Sequence, residues 1–196
     1  MIMENHKLIC NSKRTRQPRQ TTALPAQSPF PKKIATRARL GDEYPIAKIL
    51  LDNAPVCLPV SPAKLVGCLP FYRVFHKGQR IVGTFALFPI NSESYELRSV
   101  AVAEDERGNG LGRQLVSMAL ERAARERKRV YCVTTKPEFF THFGFREMPF
   151  CVLPPKPERK LFPSEGPSIS MYWDDPNHSM SQNSGEWNDE DLRFSA

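Results

Sequence analysis

Apolar residues recur at helical spacing at Leu111, Leu115, Val116, Ala119, Leu120, Ala123 and Ala124, which predicts a long amphipathic helix. Its opposite side carries Arg113, Glu121, Arg122, Arg125 and Arg127, a solvated stripe. Strand-like runs occupy Ile34–Ala38, Phe71–His76, Arg80–Phe88, Tyr95–Ala103 and Val130–Thr134, and Ser168–Trp173 reads as a last edge strand. Asp42 stands where it can cap a helix through Leu51, with Ile46, Ile49 and Leu50 on one face. Ser61-Pro62 opens a shorter helix, with proline where its missing N–H is harmless. Pro137 opens another, through Phe143, that Gly144 ends. Lys77-Gly78-Gln79 joins two strands as a hairpin, and the prolines from Pro154 to Pro167 make 151–167 an extended loop. Periodicity alone reaches an α/β or α+β chain.

Composition sorts the chain into three stretches. Residues 1–33 are rich in Asn, Ser, Thr, Gln, Pro and Arg and have little to bury, so a disordered basic leader is expected. Such an acid-poor, arginine-bearing leader also fits a transit peptide, which leaves a cytoplasmic place or an organelle (plastid or mitochondrion) as alternatives. A folded domain is expected over 34–173, and an acidic, disordered tail over 174–196. Residues 1–39 hold nine Lys or Arg against Glu4, a charge of +8 where the whole chain has +7, so residues 40–196 sum to −1. The folded part therefore gives no support to a nucleic-acid role. No apolar run is long enough to cross a bilayer. Cys10, Cys57, Cys68, Cys132 and Cys151 contain no C-x-x-C pair, which argues against a disulfide framework or a zinc site.

The strand ending at Ala103 runs through Glu104-Asp105-Glu106 into Arg107-Gly108-Asn109-Gly110-Leu111-Gly112-Arg113 and then the long helix. Glycines at alternate positions let a backbone approach a ligand closely. The first-turn N–H groups of the helix have no intrahelical partners, and donors plus macrodipole favour a phosphate or diphosphate. A nucleotide-triphosphate loop would need Lys-Ser or Lys-Thr where Arg113-Gln114 stands, and the dinucleotide fingerprint needs a different glycine spacing. An ordinary glycine-rich turn remains the alternative.

Arg107–Gly112 resembles the Arg/Gln-x-x-Gly-x-Gly/Ala signature of the GNAT superfamily of acyl-CoA-dependent N-acetyltransferases. A second match follows in order: Phe140-Thr141-His142-Phe143-Gly144-Phe145 is similar to that family's aromatic-x-x-x-Gly-Phe motif. Glu96-Leu97-Arg98-Ser99-Val100-Ala101-Val102 looks like the corresponding strand of small amino-acid acetyltransferases of the N-acetylglutamate synthase type. The resemblance covers about residues 34–150. It implies a single GNAT-fold domain with a central, mixed, mostly antiparallel twisted sheet flanked by helices. It also implies acetyl-CoA as cosubstrate without a metal, a small-molecule or peptide amine as acceptor, no membrane, and a homodimer, which many members form.

By resemblance, Arg107, Gly108, Asn109, Gly110, Leu111, Gly112 and Arg113 hold the diphosphate. Val100, Ala101 and Val102 pair through their backbone with the pantetheine, and Phe139, Phe140 and Phe143 pack against it. Glu96 matches a family glutamate that deprotonates the amine. Strand alternation puts Glu96, Arg98, Val100 and Val102 on one face, so Glu96 can instead pair with Arg98, and an ordered water can collect the proton. Arg98 can hold a substrate carboxylate by its planar fork. The family's usual general acid is a tyrosine where this chain has Phe140, a departure that leaves Cys132, Thr134, Thr135 and His142 as neighbours able to line the groove. Two functions stay open: acetyl transfer by direct attack in a ternary complex, and an acyl-CoA-binding or interaction module of the same fold with weak or no catalysis.

Overall fold

The computed structural model describes residues 35–148 and 168–177. The leader, residues 149–167 and most of the acidic tail lie outside the described residues, and with them the expected extended loop. Seven strands form one sheet: β1 (Thr36–Arg37), β2 (Tyr72–Lys77), β3 (Arg80–Pro89), β4 (Ser94–Val102), β5 (Arg129–Thr134), β6 (Arg146–Glu147) and β7 (Ile169–Trp173). Their spatial order is β1-β2-β3-β4-β5-β7-β6, antiparallel throughout except for the parallel pair β4–β5. The helices are α1 (Glu43–Asp52), α2 (Pro62–Val66), α3 (Leu111–Arg125) and α4 (Pro137–Thr141). This is the mixed α/β architecture that the motifs imply.

Two strand expectations change. β7 is an interior strand, because β6 adds beyond it as the true edge. β6 is two exposed polar residues with no period to read, so it left no trace in the hydrophobic pattern.

Each face of the sheet has its own core. α3 covers one face, where Leu115, Val116, Ala119 and Ala123 are fully buried against Phe75, Val82, Leu87 and Leu97. α1 and α2 cover the other, where Ile46, Leu50 and Leu65 pack against Tyr72, Val74 and Ala86. Burying each large aliphatic side chain contributes about 2 kcal/mol. Asp42 precedes α1 but does not cap it with its side chain. Its backbone is already in the helical region (φ −82, ψ −13), so its carboxylate accepts from the Arg39 N–H at 2.7 Å instead. Ser61 does cap α2, accepting from the Lys64 N–H.

Strand β4 carries the feature on which the site depends. Thr84 pairs with Ala101 and Ala86 with Arg98, so the single residue Phe85 faces two residues, Ser99 and Val100. This is a β-bulge, and Ser99 takes φ +57 within it. The extra residue inverts the alternation. Tyr95 and Leu97 face α3 before it, and Val100 and Val102 face α3 after it. Glu96 and Arg98 therefore do not share a face with Val100 and Val102, contrary to strict alternation.

Candidate functional site

The loop entering α3 is held from below. Lys77 Nζ lies 2.5 Å from Glu106 Oε1 and Arg80 Nη2 lies 2.6 Å from Asp105 Oδ2, tying the β2–β3 hairpin to the acidic turn. Glu106 is buried, so its pairing fixes the turn more firmly than an exposed ion pair would. Gly108 (φ +80) and Gly110 (φ +72) then take left-handed backbone that side chains rarely adopt. Gly110 is the N-cap of α3.

Among the described residues, no protein oxygen accepts from the backbone N–H groups of residues 108–113. Residues 107–109 are exposed and Gly110 half-buried, so these donors face solvent at a helix N-terminus. That is an anion-binding arrangement. Arg113 is exposed beside it. Arg107 is turned elsewhere, and its Nη2 donates to the Asp52 carbonyl at 3.2 Å, fastening the end of α1 to the loop.

Next to the loop, β4 and β5 separate. Their pairing spans only Ser94–Glu96 against Arg129–Tyr131, and beyond it the strands part. A cavity of about 310 Å³ opens there, lined by Val56, Val100, Thr134, Lys136, Phe139 and Phe140 among others. A Cβ on Gly112 would sit 3.7 Å from the Phe139 ring and 3.9 Å from Val102, which places Phe139 at the junction with the loop. Val56, Val100, Thr134 and Phe140 also line a second cavity of about 370 Å³, so the two adjoin.

The second cavity holds the titratable groups. Glu96 is buried at 8 % exposure, and its Oε2 lies 3.7 Å from Arg98 Nη1. Arg98 stacks its guanidinium 3.5 Å from the centroid of the Phe88 ring. Cys132 lines the same space, and burial, reinforced by the Glu96 charge, pushes its thiol up to about 12. Thr134 is buried at the rim. The segment after α1 closes the cavity from above: Cys57 Sγ–H donates to the Val100 carbonyl at 3.2 Å, and Asn53 Nδ2 to the Val102 carbonyl at 3.1 Å.

Several expected residues are placed differently. Ala101 pairs with Thr84 of β3 and is buried against α1, so it presents nothing to the opening. The Ala103 N–H donates to Val82, so by alternation the main chain of Val100 and Val102 faces away from β3. Phe143 packs into the α3-side core and lines neither cavity. His142 is bonded to the Glu138 carbonyl through Nδ1, and Thr135 also lies outside both linings. Leu111 is buried in the core, contributing its N–H only. Tyr72, Lys64 and Cys68 line the larger cavity although no motif points to them, and so does Ser99, which the strand motif contains without giving it a role. Tyr72 reads as strand core, and the bulge that turns Ser99 inward has no sequence signal.

Among the described residues, no group of three or more His, Cys, Asp and Glu could hold a metal ion, and no helix is long and apolar enough to cross a membrane.

Residues 70–147 match the family model described as Acetyltransferase (GNAT) domain. The fold resembles that of Rv2747 from Mycobacterium tuberculosis, crystallised with CoA and NLQ, at 22% identity and a TM-score of 0.61, covering 72% of this chain and 98% of that one. It also resembles N-acetylglutamate synthase from Neisseria gonorrhoeae, complexed with coenzyme A and N-acetyl-glutamate, at 19% identity and a TM-score of 0.60. That match covers 71% of this chain but only 34% of the synthase, about a third of its length. An aminoglycoside 6'-N-acetyltransferase complexed with coenzyme A matches at 16% identity and a TM-score of 0.56, covering 72% of this chain and 96% of that one. At these identities the likeness is one of fold.

Proposed function

For a chain whose residues 70–147 match the GNAT acetyltransferase domain model, we propose an enzyme that moves the acetyl group of acetyl-CoA to a primary amine, by direct attack in a ternary complex. The acceptor class is a small molecule with an amino-acid-like head. The observation that carries this reading is one of adjacency. The N–H groups at the start of α3, without a protein acceptor among the described residues, lie beside Phe139 and the gap between β4 and β5, whose cavity adjoins one holding a buried carboxylate.

The chemistry follows from that layout. The N–H groups of residues 108–113 receive the diphosphate, and Phe139 and the main chain of Val100 and Val102 flank the pantetheine. The thioester then reaches the shared rim at Val100, Thr134 and Phe140. The amine occupies the larger cavity, where Glu96, directly or through a water, removes the ammonium proton before attack. The free amine nitrogen adds to the carbonyl carbon, and as the tetrahedral centre collapses the nitrogen gives up its second proton to water or to the departing sulfur while the C–S electron pair leaves with CoA. Phe140 supplies no proton to that sulfur, which a thiol of ordinary pKa tolerates. Arg98, held flat by Phe88, faces the same cavity and suits a substrate carboxylate.

The test is CoA release from acetyl-CoA across a mixed amine library, with acetylated products identified by mass spectrometry. Turnover on an amine above the rate of hydrolysis supports the enzyme. Two observations favour a second reading, an acyl-CoA-binding module: Phe140 in the place of a tyrosine, and Glu96 engaged with Arg98. Tight acetyl-CoA binding with no acetylated amine supports that module instead.

A further inference from the structure

Ser99 stands at a backbone position that glycine would occupy without strain. Among the described residues only Ser99 and Arg127 are non-glycine residues with positive φ. Arg127 follows the end of α3, where a left-handed residue is ordinary. Ser99 lies inside a strand, at the bulge of β4, and a non-glycine residue kept there points to a use for its side chain. That side chain has a defined partner: Ser99 Oγ lies 2.9 Å from Tyr72 Oη, and Tyr72 is buried on β2.

Both residues line the larger cavity, and Ser99 directly precedes Val100, the residue shared by the two cavities. The hydroxyl pair thus sits beside the rim where the proposed path from the glycine loop ends. We infer that Ser99 is a catalytic residue of the acetyl transfer proposed above, its hydroxyl donating to the thioester carbonyl oxygen, with Tyr72 as the positioning residue that holds it. Burial raises the Tyr72 phenol above its ordinary value and keeps its proton in place. Either hydroxyl can donate in this pair, and in the arrangement inferred here Tyr72 donates to Ser99 Oγ, which leaves the serine hydrogen for the cavity. As the amine adds, the carbonyl π pair moves onto oxygen, and Ser99 Oγ–H hydrogen-bonds the developing charge. When the carbonyl re-forms, the C–S bond breaks and its electron pair leaves on sulfur. No proton passes through Ser99 or Tyr72.

The inference rests on the acetyl-transfer reading, and the experiment separates the two. Ser99→Gly keeps the backbone conformation and deletes the hydroxyl, while Tyr72→Phe deletes only the positioning bond. The expected kcat of Ser99→Gly falls about 100-fold, with KM for acetyl-CoA unchanged. Tyr72→Phe falls less, and the double variant falls no further than Ser99→Gly. Infrared spectroscopy of bound acetyl-CoA, isotope-labelled at the thioester carbonyl, reads the hydrogen bond without turnover: the stretch moves to higher frequency in Ser99→Gly. Bound acetyl-CoA with the same stretch in both proteins overturns this inference alone, as does an unchanged kcat. Failure of acetyl-CoA to bind the unaltered protein overturns the reading beneath it, and this inference with it.

Discussion

Glu96 owes its place to strand pairing: it stands opposite Tyr131 at the last paired position before β4 and β5 separate, with Arg98 beside it. Strand alternation alone brings these two together, and the choice between base and ion pair is a choice about chemistry at one oxygen. Glu96→Gln keeps the shape and removes the basic oxygen. The expected kcat falls by about 100-fold at unchanged KM for acetyl-CoA; steady-state rates on an amine that the library screen returns decide it, and an unchanged kcat assigns the proton to water alone. The buried thiols make a separate prediction. Burial pushes Cys57 up to about 11 and Cys132 up to about 12, from about 9 when exposed. Between those limits the folded chain holds protons that the unfolded chain has released. Stability is therefore full below about pH 9 and falls as pH rises, by about 1.4 kcal/mol per pH unit for each thiol. Urea titrations from pH 8 upward should show this limb, shallower in Cys132→Ala; a flat profile contradicts the burial argument.

At the scale of elements, α3 and the loop before it were legible because a helix period and a glycine pattern are local signals. The bulge was not. Nothing in Arg98-Ser99-Val100 distinguishes it from a plain strand, yet it reverses the faces of everything after it and turns a serine toward the cavity. The same holds for Tyr72, whose strand was expected but whose hydroxyl partner lies on another strand. Replacing Gly110 by valine tests the loop. A β-branched residue at φ +72 costs about 1–2 kcal/mol of local strain and displaces the N–H row. Gly110→Val should remain folded by circular dichroism and lose acetyl-CoA binding by more than tenfold in calorimetry. Gly112→Ala is the matched control: its Cβ meets only ordinary contacts with Phe139 and Val102, so folding survives it.

For the whole molecule, alternating strands and helices point to the class and the motifs to the architecture, while the outer edge of the sheet leaves no mark in the pattern. β6 is too short and too polar to show a period, and its addition makes β7 an inner strand. The charge of the chain divides in the same uneven way, with +8 in residues 1–39 and −1 in the rest. We propose that the leader plays no part in the chemistry, so a chain lacking residues 1–33 should keep its turnover and its acetyl-CoA affinity; a lost activity would place the leader at the site. What unites residue, loop and sheet is one requirement, that the exposed amides before α3 grip the diphosphate of a coenzyme. Thermal unfolding in acetyl-CoA tests it most directly. At about 100 times its dissociation constant the ligand should stabilise the protein by about 2.7 kcal/mol, and Gly110→Val should abolish the gain. No stabilisation of the unaltered protein, or an equal one in Gly110→Val, would contradict the account.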